Sequence, residues 1–179
     1  MPGPDREEAE LIERAGRGDN AAFEALLARH EEAVIRVASS ILRDADAALD
    51  VAQEVFLALY RVLPGWRPRA RLSSWLYRTT VNTALSHRRL RAREERLARQ
   101  APAPTAAPEP PGAEERRRLA RAVEMLSARQ RAVLTLKVVE GLTFAEIARI
   151  LGISVSSAKT HYVRGLEALR ERLRPPSDS

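Results

Sequence analysis

Cysteine is absent from the 179 residues, which excludes a disulfide framework and any thiolate metal site. No window approaches the roughly eighteen consecutive apolar residues that a membrane span requires. The opening MPGPDREEAE has no basic stretch followed by an apolar run, so neither a signal peptide nor membrane insertion is expected, and the expected compartment is the cytoplasm. Alternating apolar and polar residues, the mark of strands, are missing throughout. The three histidines, His30, His87 and His161, stand far apart without ligand-spaced neighbours, and no glycine loop could cradle a phosphate. No catalytic residue, no metal site and no cofactor is therefore expected, and the chain reads as a binding protein. Lysine is scarce too, at 2 residues against 28 arginines, a hint of a GC-rich genome.

What the chain has in quantity is charge, unevenly placed. A net charge of +6 and a pI near 10.6 point toward a polyanion. From Asp5 to Tyr60 there are 13 acids against 6 bases, whereas Arg61 to Arg99 carries 11 arginines against 2 glutamates. Glu114 to Arg174 holds 13 bases against 7 acids. A protein touching only nucleic acid has little use for the acidic block, which therefore suggests a second, basic partner. A plain solvated helix surface is the alternative reading.

Helical spacing runs through most of the chain. A short acidic helix is expected over 5–17, and Asp19 or Asn20 can cap the next, whose apolar residues recur from Phe23 to Leu42. The third helix, Asp44 to Leu63, has Leu49, Ala52, Phe56, Leu59 and Leu63 as its expected buried side. Asp46, Asp50, Gln53, Glu54, Leu57 and Arg61 form its other side, and an apolar residue among acids resembles a docking face. Pro64 and Gly65 stop that helix. The loop that follows places Trp66 beside Arg67, Arg69 and Arg71, a chemistry suited to partly melted nucleic acid, where an indole stacks on a base and guanidiniums hold phosphates. A tryptophan folded onto the bundle is the competing reading, and it is favoured for Trp75. The fourth helix is expected from a Ser73 cap to Arg99, with Arg78, Asn82, Ser86, Arg88, Arg89, Arg91 and Arg93 outward. Residues 98–113, rich in proline and alanine, read as a linker between two small helical domains, 5–97 and 114–174.

Two helices, Glu114 to Leu126 and Ser127 to Glu140, open the second domain, with Leu119, Val123, Leu126, Val133, Leu134, Leu136 and Val138 as their apolar residues. Gly141 to Arg174 then reads as a helix-turn-helix. Thr143 and Glu146 can form a capping box, Gly152 can close the first helix in the left-handed conformation, and Ser154 can cap the second. Ala158, Tyr162, Gly165, Leu166 and Leu169 face inward, leaving Ser156, Ser157, Lys159, Thr160, His161 and Arg164 outward, a face suited to a DNA major groove. An ordinary helical hairpin with a solvated basic face is the alternative. At this level a free-standing DNA-binding regulator and a protein that sequesters a partner also stay open, although the first hundred residues lack the βα alternation of a sensory domain.

The segments AFEALLARH, DVAQEVF, SSWLYRTTVNTA and LSARQRAVLTLKVVEGLTFAEIARILGIS, in this order and spacing, resemble the extracytoplasmic-function (ECF) group of bacterial RNA polymerase sigma factors. The resemblance covers almost the whole chain. It implies an all-α fold of two domains and a monomeric factor that directs promoter-specific transcription initiation. It further implies that Asp50, Gln53 and Glu54, with Asp46, Leu57 and Arg61, dock on the coiled coil of the polymerase β′ subunit, in a core polymerase where the β subunit is also contacted. Trp66, Arg67, Arg69, Arg71, Arg78 and Asn82 are implied to recognise and open the minus-ten element, holding the melted non-template strand. Ser156, Ser157, Lys159, Thr160, His161 and Arg164 are implied to read the minus-thirty-five duplex. An anti-sigma factor is the implied regulator. This chain has Pro68, Arg69 and Arg71 where the family often has glycine and then an acidic or small residue, and Ala158 and Tyr162 where aliphatic residues are common.

Overall fold

The computed structural model describes residues 6–66, 71–97 and 113–174, which hold helices and turns without a strand. Helix α1 spans Arg6–Gly16, α2 Asn20–Leu42 and α3 Ala45–Val62. A 3-10 turn, Leu63–Gly65, precedes α4, Leu72–Leu97. The second unit contains α5 (Ala113–Glu124), α6 (Ala128–Leu134), a π turn (Thr135–Val139), α7 (Phe144–Leu151) and α8 (Val155–Leu173). The expected linker lies largely outside the described residues.

Local chemistry sets the helix starts. Asp19 accepts the Ala22 N–H at 3.1 Å and Asp44 accepts the Ala47 N–H at 3.0 Å, each satisfying an orphan donor of the first turn. At Ser127 and Thr143 the full capping box forms, with Gln130 and Glu146 reaching back to the cap. Gly152 closes α7 at φ 63°, in the left-handed region where glycine carries no Cβ penalty. Gly16 serves a different need. A Cβ there would lie 2.8 Å from the Leu63 carbonyl oxygen, so only glycine lets the end of α1 touch the turn after α3.

Helix α2 is the axis of the molecule. Its Leu26, Val34, Val37 and Ile41 are fully buried, against a neighbouring set from α3 (Val51, Val55, Leu59) and α4 (Leu76, Val81, Ala84). Each buried leucine, valine or isoleucine of this set contributes about 1.5–3 kcal/mol when removed from water. The core continues without a break into the second unit through Ala132, Val133, Leu136, Ile147 and Ala158. Helix α6 packs on α2, and α7 packs on α4.

Polar groups reinforce that junction. The Arg131 side chain, 4% exposed, donates to the carbonyls of Ser40 (2.6 Å) and Ile41 (2.9 Å) at the end of α2, and to that of Leu126. It thereby fills acceptor positions that the last turn of α2 cannot satisfy itself, and its charge suits the negative end of that helix. Burial pulls its guanidinium down to about 10, with Arg88 and Arg43 adding to the effect. Nearby, the Glu140 carboxylate, 7% exposed, accepts from Arg36 Nε at 2.8 Å and from the Tyr77 hydroxyl at 2.7 Å. The Tyr77 hydroxyl is raised above its ordinary value, first by burial and then by Glu140.

Several sequence expectations need correction. Helix α4 begins at Leu72, so Ser73 lies inside its first turn and does not cap it; fully buried Leu72 anchors that turn to the core. Leu49 is 45% exposed because it borders a groove between α2 and α3. Leu119 and Val138, two of the apolar residues of the helices that open the second unit, are 47% and 64% exposed. For Val138 the reason is the π turn, in which Glu140 N–H bonds to the Thr135 carbonyl five residues back. The wider turn rotates the face away from the α-helical register. His30 lies half-buried with its Nε2 2.8 Å from Glu8 Oε1, tying α2 to α1.

Candidate polymerase and nucleic-acid interfaces

Helix α3 presents two unlike sides. Ala47, Ala48, Val51, Ala52, Val55, Phe56 and Leu59 are buried, whereas Asp46, Asp50, Gln53, Glu54, Leu57 and Arg61 are all exposed. The exposed six follow three- and four-residue steps, so they form one strip along the helix. Leu57 is 55% exposed among these polar neighbours. Glu54 Oε1 lies 2.8 Å from His87 Nε2 of α4, which ties the middle of the strip to the next helix.

Beside the strip runs an apolar groove of about 550 Å³, lined by Phe23, Leu27, Ile35, Leu49, Phe56 and Tyr60 among others. Sequence reasoning missed it. The available signal was that Leu57 and Tyr60 fall outside the expected buried side of α3, and Tyr60 is 50% exposed.

The predicted minus-ten residues fall into two groups. Trp66 follows the 3-10 turn, half-buried, and meets Trp75 edge to face at 5.8 Å between ring centroids. The indole is thus not a free stacking platform; it forms a wall of a cleft of about 430 Å³ with Ile12, Glu13, Pro64, Arg71 and Leu72. Arg67 and Arg69 lie outside the described residues. Arg78 and Asn82 stand exposed one turn apart on α4, and Ser86, Arg89 and Arg93 continue the same exposed row. Tyr77, between the two groups in sequence, points instead toward Glu140.

In the helix-turn-helix, Ser154 Oγ accepts the Ser157 N–H at 3.0 Å and lies 2.9 Å and 2.8 Å from the Ser156 and Ser157 hydroxyls. Those two hydroxyls therefore take part in the cap. Thr160 donates to the Ser156 carbonyl at 2.9 Å. Lys159, Thr160 and Arg164 are exposed, and Ser157 is half-buried. His161 departs from the expected open face: it is half-buried and lines a cleft of about 380 Å³ with Leu85, Arg88 and Arg89 of α4 and Arg129 of α6.

The inner side of α8 packs on α7. Ala158 is fully buried, and Tyr162 packs edge to face on Phe144 of α7 at 5.4 Å. Lys137 covers the same Phe144 ring at 5.1 Å.

Among the described residues, no group of three or more His, Asp or Glu is placed to hold a metal ion, and no helix is long and apolar enough to cross a membrane.

An all-helical chain with an acid-lined strip, an arginine-lined helix and a helix-turn-helix belongs to the class of transcription factors that engage both a protein partner and DNA. Two family models divide it in the same way: Sigma-70 region 2 matches residues 26–94, and Sigma-70 region 4 matches residues 116–169. The chain is 30% identical to the RNA polymerase sigma-H factor of Pseudomonas aeruginosa, with 94% of this chain and 95% of that protein covered. It is also 30% identical to the ECF RNA polymerase sigma-E factor of Escherichia coli, over 92% and 93%. Among solved structures, the sigma factor RpoE of Bartonella quintana, in complex with the anti-sigma factor NepR, matches with a TM-score of 0.71 at 25% identity, covering 84% of this chain and 96% of that one. CnrH, bound to the cytosolic domain of CnrY, shares the fold, with a TM-score of 0.70 at 24% identity over 93% and 97%.

The chain belongs to the ECF sigma factors of bacterial RNA polymerase. It is a transcription initiation factor that acts through binding to core polymerase and promoter DNA.

Proposed function

We propose that residues 5–97 dock this factor on core polymerase and open the minus-ten element, and that residues 114–174 anchor it on the minus-thirty-five element, with 98–113 joining the two. The observation that carries the reading is the α3 strip. Asp46, Asp50, Gln53, Glu54, Leu57 and Arg61 are all exposed over a buried opposite side. The strip faces the β′ coiled coil. Electrostatic complementarity to a basic surface sets its register and association rate, and Leu57 supplies apolar contact at its centre.

On the DNA side, Arg78 and Asn82, with Trp66, Arg67, Arg69 and Arg71 before them, hold the melted non-template strand. The cost of unstacking a base, a few kcal/mol, is offset by contacts made only to the open strand. Since Trp66 is pinned against Trp75, its contribution is a cleft wall beside Arg71. At the upstream end, Ser156, Ser157, Lys159, Thr160, His161 and Arg164 meet the major groove and its phosphates. The factor works in the cytoplasm, without catalysing a reaction itself, under an anti-sigma factor of the kind seen with RpoE.

The direct test is the charge swap Asp50→Arg with Glu54→Arg. The variant is expected to keep the helical circular dichroism of the parent and to lose capture by sigma-free core polymerase. Undiminished capture would overturn the docking assignment.

A further inference from the structure

We propose that the cleft lined by α4, α6 and α8 is a binding site for a compact diphosphate anion, inorganic or carried by a nucleotide. The site is independent of the promoter reading given above, although His161 belongs to both.

The cleft, of about 380 Å³, brings together Arg88 and Arg89 of α4, Arg129 of α6 and His161 of α8. The three arginines are exposed at its mouth and His161 is half-buried. Among the described residues, no Asp or Glu lines the cleft, and none of these four side chains has a carboxylate partner. Other arginines of the molecule do have one: Arg14 pairs with Asp19, Arg36 with Glu140 and Arg43 with Glu124. Arg91, one turn beyond Arg88 on the same helix, pairs with Asp44. Positive charge therefore collects in this one recess without a counter-charge. Its field reaches inward, because Arg88 is, after burial itself, the largest cause that pulls the Arg131 guanidinium down. An anion in the cleft would relieve that repulsion.

The donors select the kind of anion. Guanidinium forks match phosphoryl oxygens two at a time and stay charged at any physiological pH. Ser127, also on the cleft wall, accepts the Gln130 N–H at 3.2 Å and keeps its own O–H to donate. The imidazole of His161 has an N–H donor in either protonation state. A single phosphoryl group brings a charge of about −1.5 to −2 at neutral pH, too little for three guanidiniums, whereas two linked groups match them. A nucleic-acid strand carries its charges one per phosphate along an extended backbone, so it delivers less charge to a recess of this size. Half-buried Leu85 and buried Ala128 add an apolar wall on which a nucleoside can lie.

The test is isothermal titration calorimetry of the full chain with inorganic pyrophosphate, ADP, sulfate and a short random-sequence duplex. Pyrophosphate is expected to bind at a single site, at least about tenfold more tightly than sulfate. Arg129→Ala is expected to weaken it about tenfold. Arg170→Ala removes an exposed arginine of α8 that does not line the cleft, and it should leave the affinity unchanged. Because both side chains are exposed, both variants should keep the helical circular dichroism of the parent. ADP bound more tightly than pyrophosphate would support the site with a nucleotide as its ligand; ADP bound equally or less tightly would support it with the free diphosphate.

Pyrophosphate and ADP no tighter than sulfate would overturn the proposal. So would equal losses in the Arg129 and Arg170 variants, which would mean that only overall charge is sensed. Binding of the duplex alone, weakened by Arg129→Ala, would show a DNA backbone contact instead and would also overturn it.

Discussion

The two units of the molecule use the same arginine-rich composition in opposite ways. In the first, the interior is a set of large aliphatic side chains such as Leu26, Ile41, Leu59, Leu72 and Leu76, and its proposed working residues on α3 and α4 lie outside that set. The second unit is built on shorter helices, and its fully buried interior is small: Ala132, Val133, Leu136, Ile147 and Ala158. It completes its burial by leaning on α2 and α4, and one of its arginines, Arg131, has become part of the interior. The first unit thus has a large aliphatic interior of its own and carries its proposed working residues on its surface, whereas the second completes its interior against its neighbour.

The strongest way to break this comparison is Arg131→Ala. Removal of the guanidinium leaves buried carbonyls of Ser40, Ile41 and Leu126 without a donor, and each such loss is costly in a dry junction. We expect a loss of about 2–4 kcal/mol in urea unfolding. Hydrogen exchange should assign most of it to α6, α7 and α8, with α2 and α3 keeping their protection. Equal loss of protection in both units would contradict that division.

A smaller effect sharpens the picture within the second unit. The Thr143→Ala variant removes one half of the capping box and is expected to cost about 1 kcal/mol at neutral pH. The Glu146 carboxyl is held below the ordinary glutamate range, first by the Thr143 hydroxyl at 2.7 Å and then by the Thr143 backbone N–H. A depressed folded-state pKa means that this interaction stabilises the fold above the unfolded-chain pKa. Its contribution is lost as the pH falls through the folded value. The difference between parent and Thr143→Ala should therefore narrow in acid, read by paired urea melts at pH 7 and at roughly pH 3. A gap that widens in acid would contradict the assigned bond.

How much of this was legible in the sequence follows the range of each interaction. The Thr143 and Glu146 box, the Gly152 stop and the Asp19 cap depend on residues within four positions of one another, and each forms as read. The strip on α3 was legible because a single helix carries both its sides. The exposure of Leu49, which was misplaced, and that of Val138 have different reasons. The first borders a groove made with another helix, and the second sits in a π turn that breaks the helical period. The Ser73 cap failed because burial of Leu72 outweighs a local hydroxyl preference. Least legible was the junction itself: Arg36 and Glu140 are 104 residues apart, and nothing in periodicity pairs an arginine with a helix end in another unit. The position of His161 in the interdomain cleft was hidden for the same reason.

The central claim is that the α3 strip turns a DNA reader into an initiation factor. The most direct measurement adds the purified chain, or its Asp50→Arg with Glu54→Arg variant, to sigma-free core polymerase and a genomic promoter library, and counts specific run-off transcripts. Discrete transcripts are expected from the parent and none from the variant. Transcripts of equal yield from both, or sequence-specific duplex binding by the parent without any polymerase-dependent transcript, would contradict the claim.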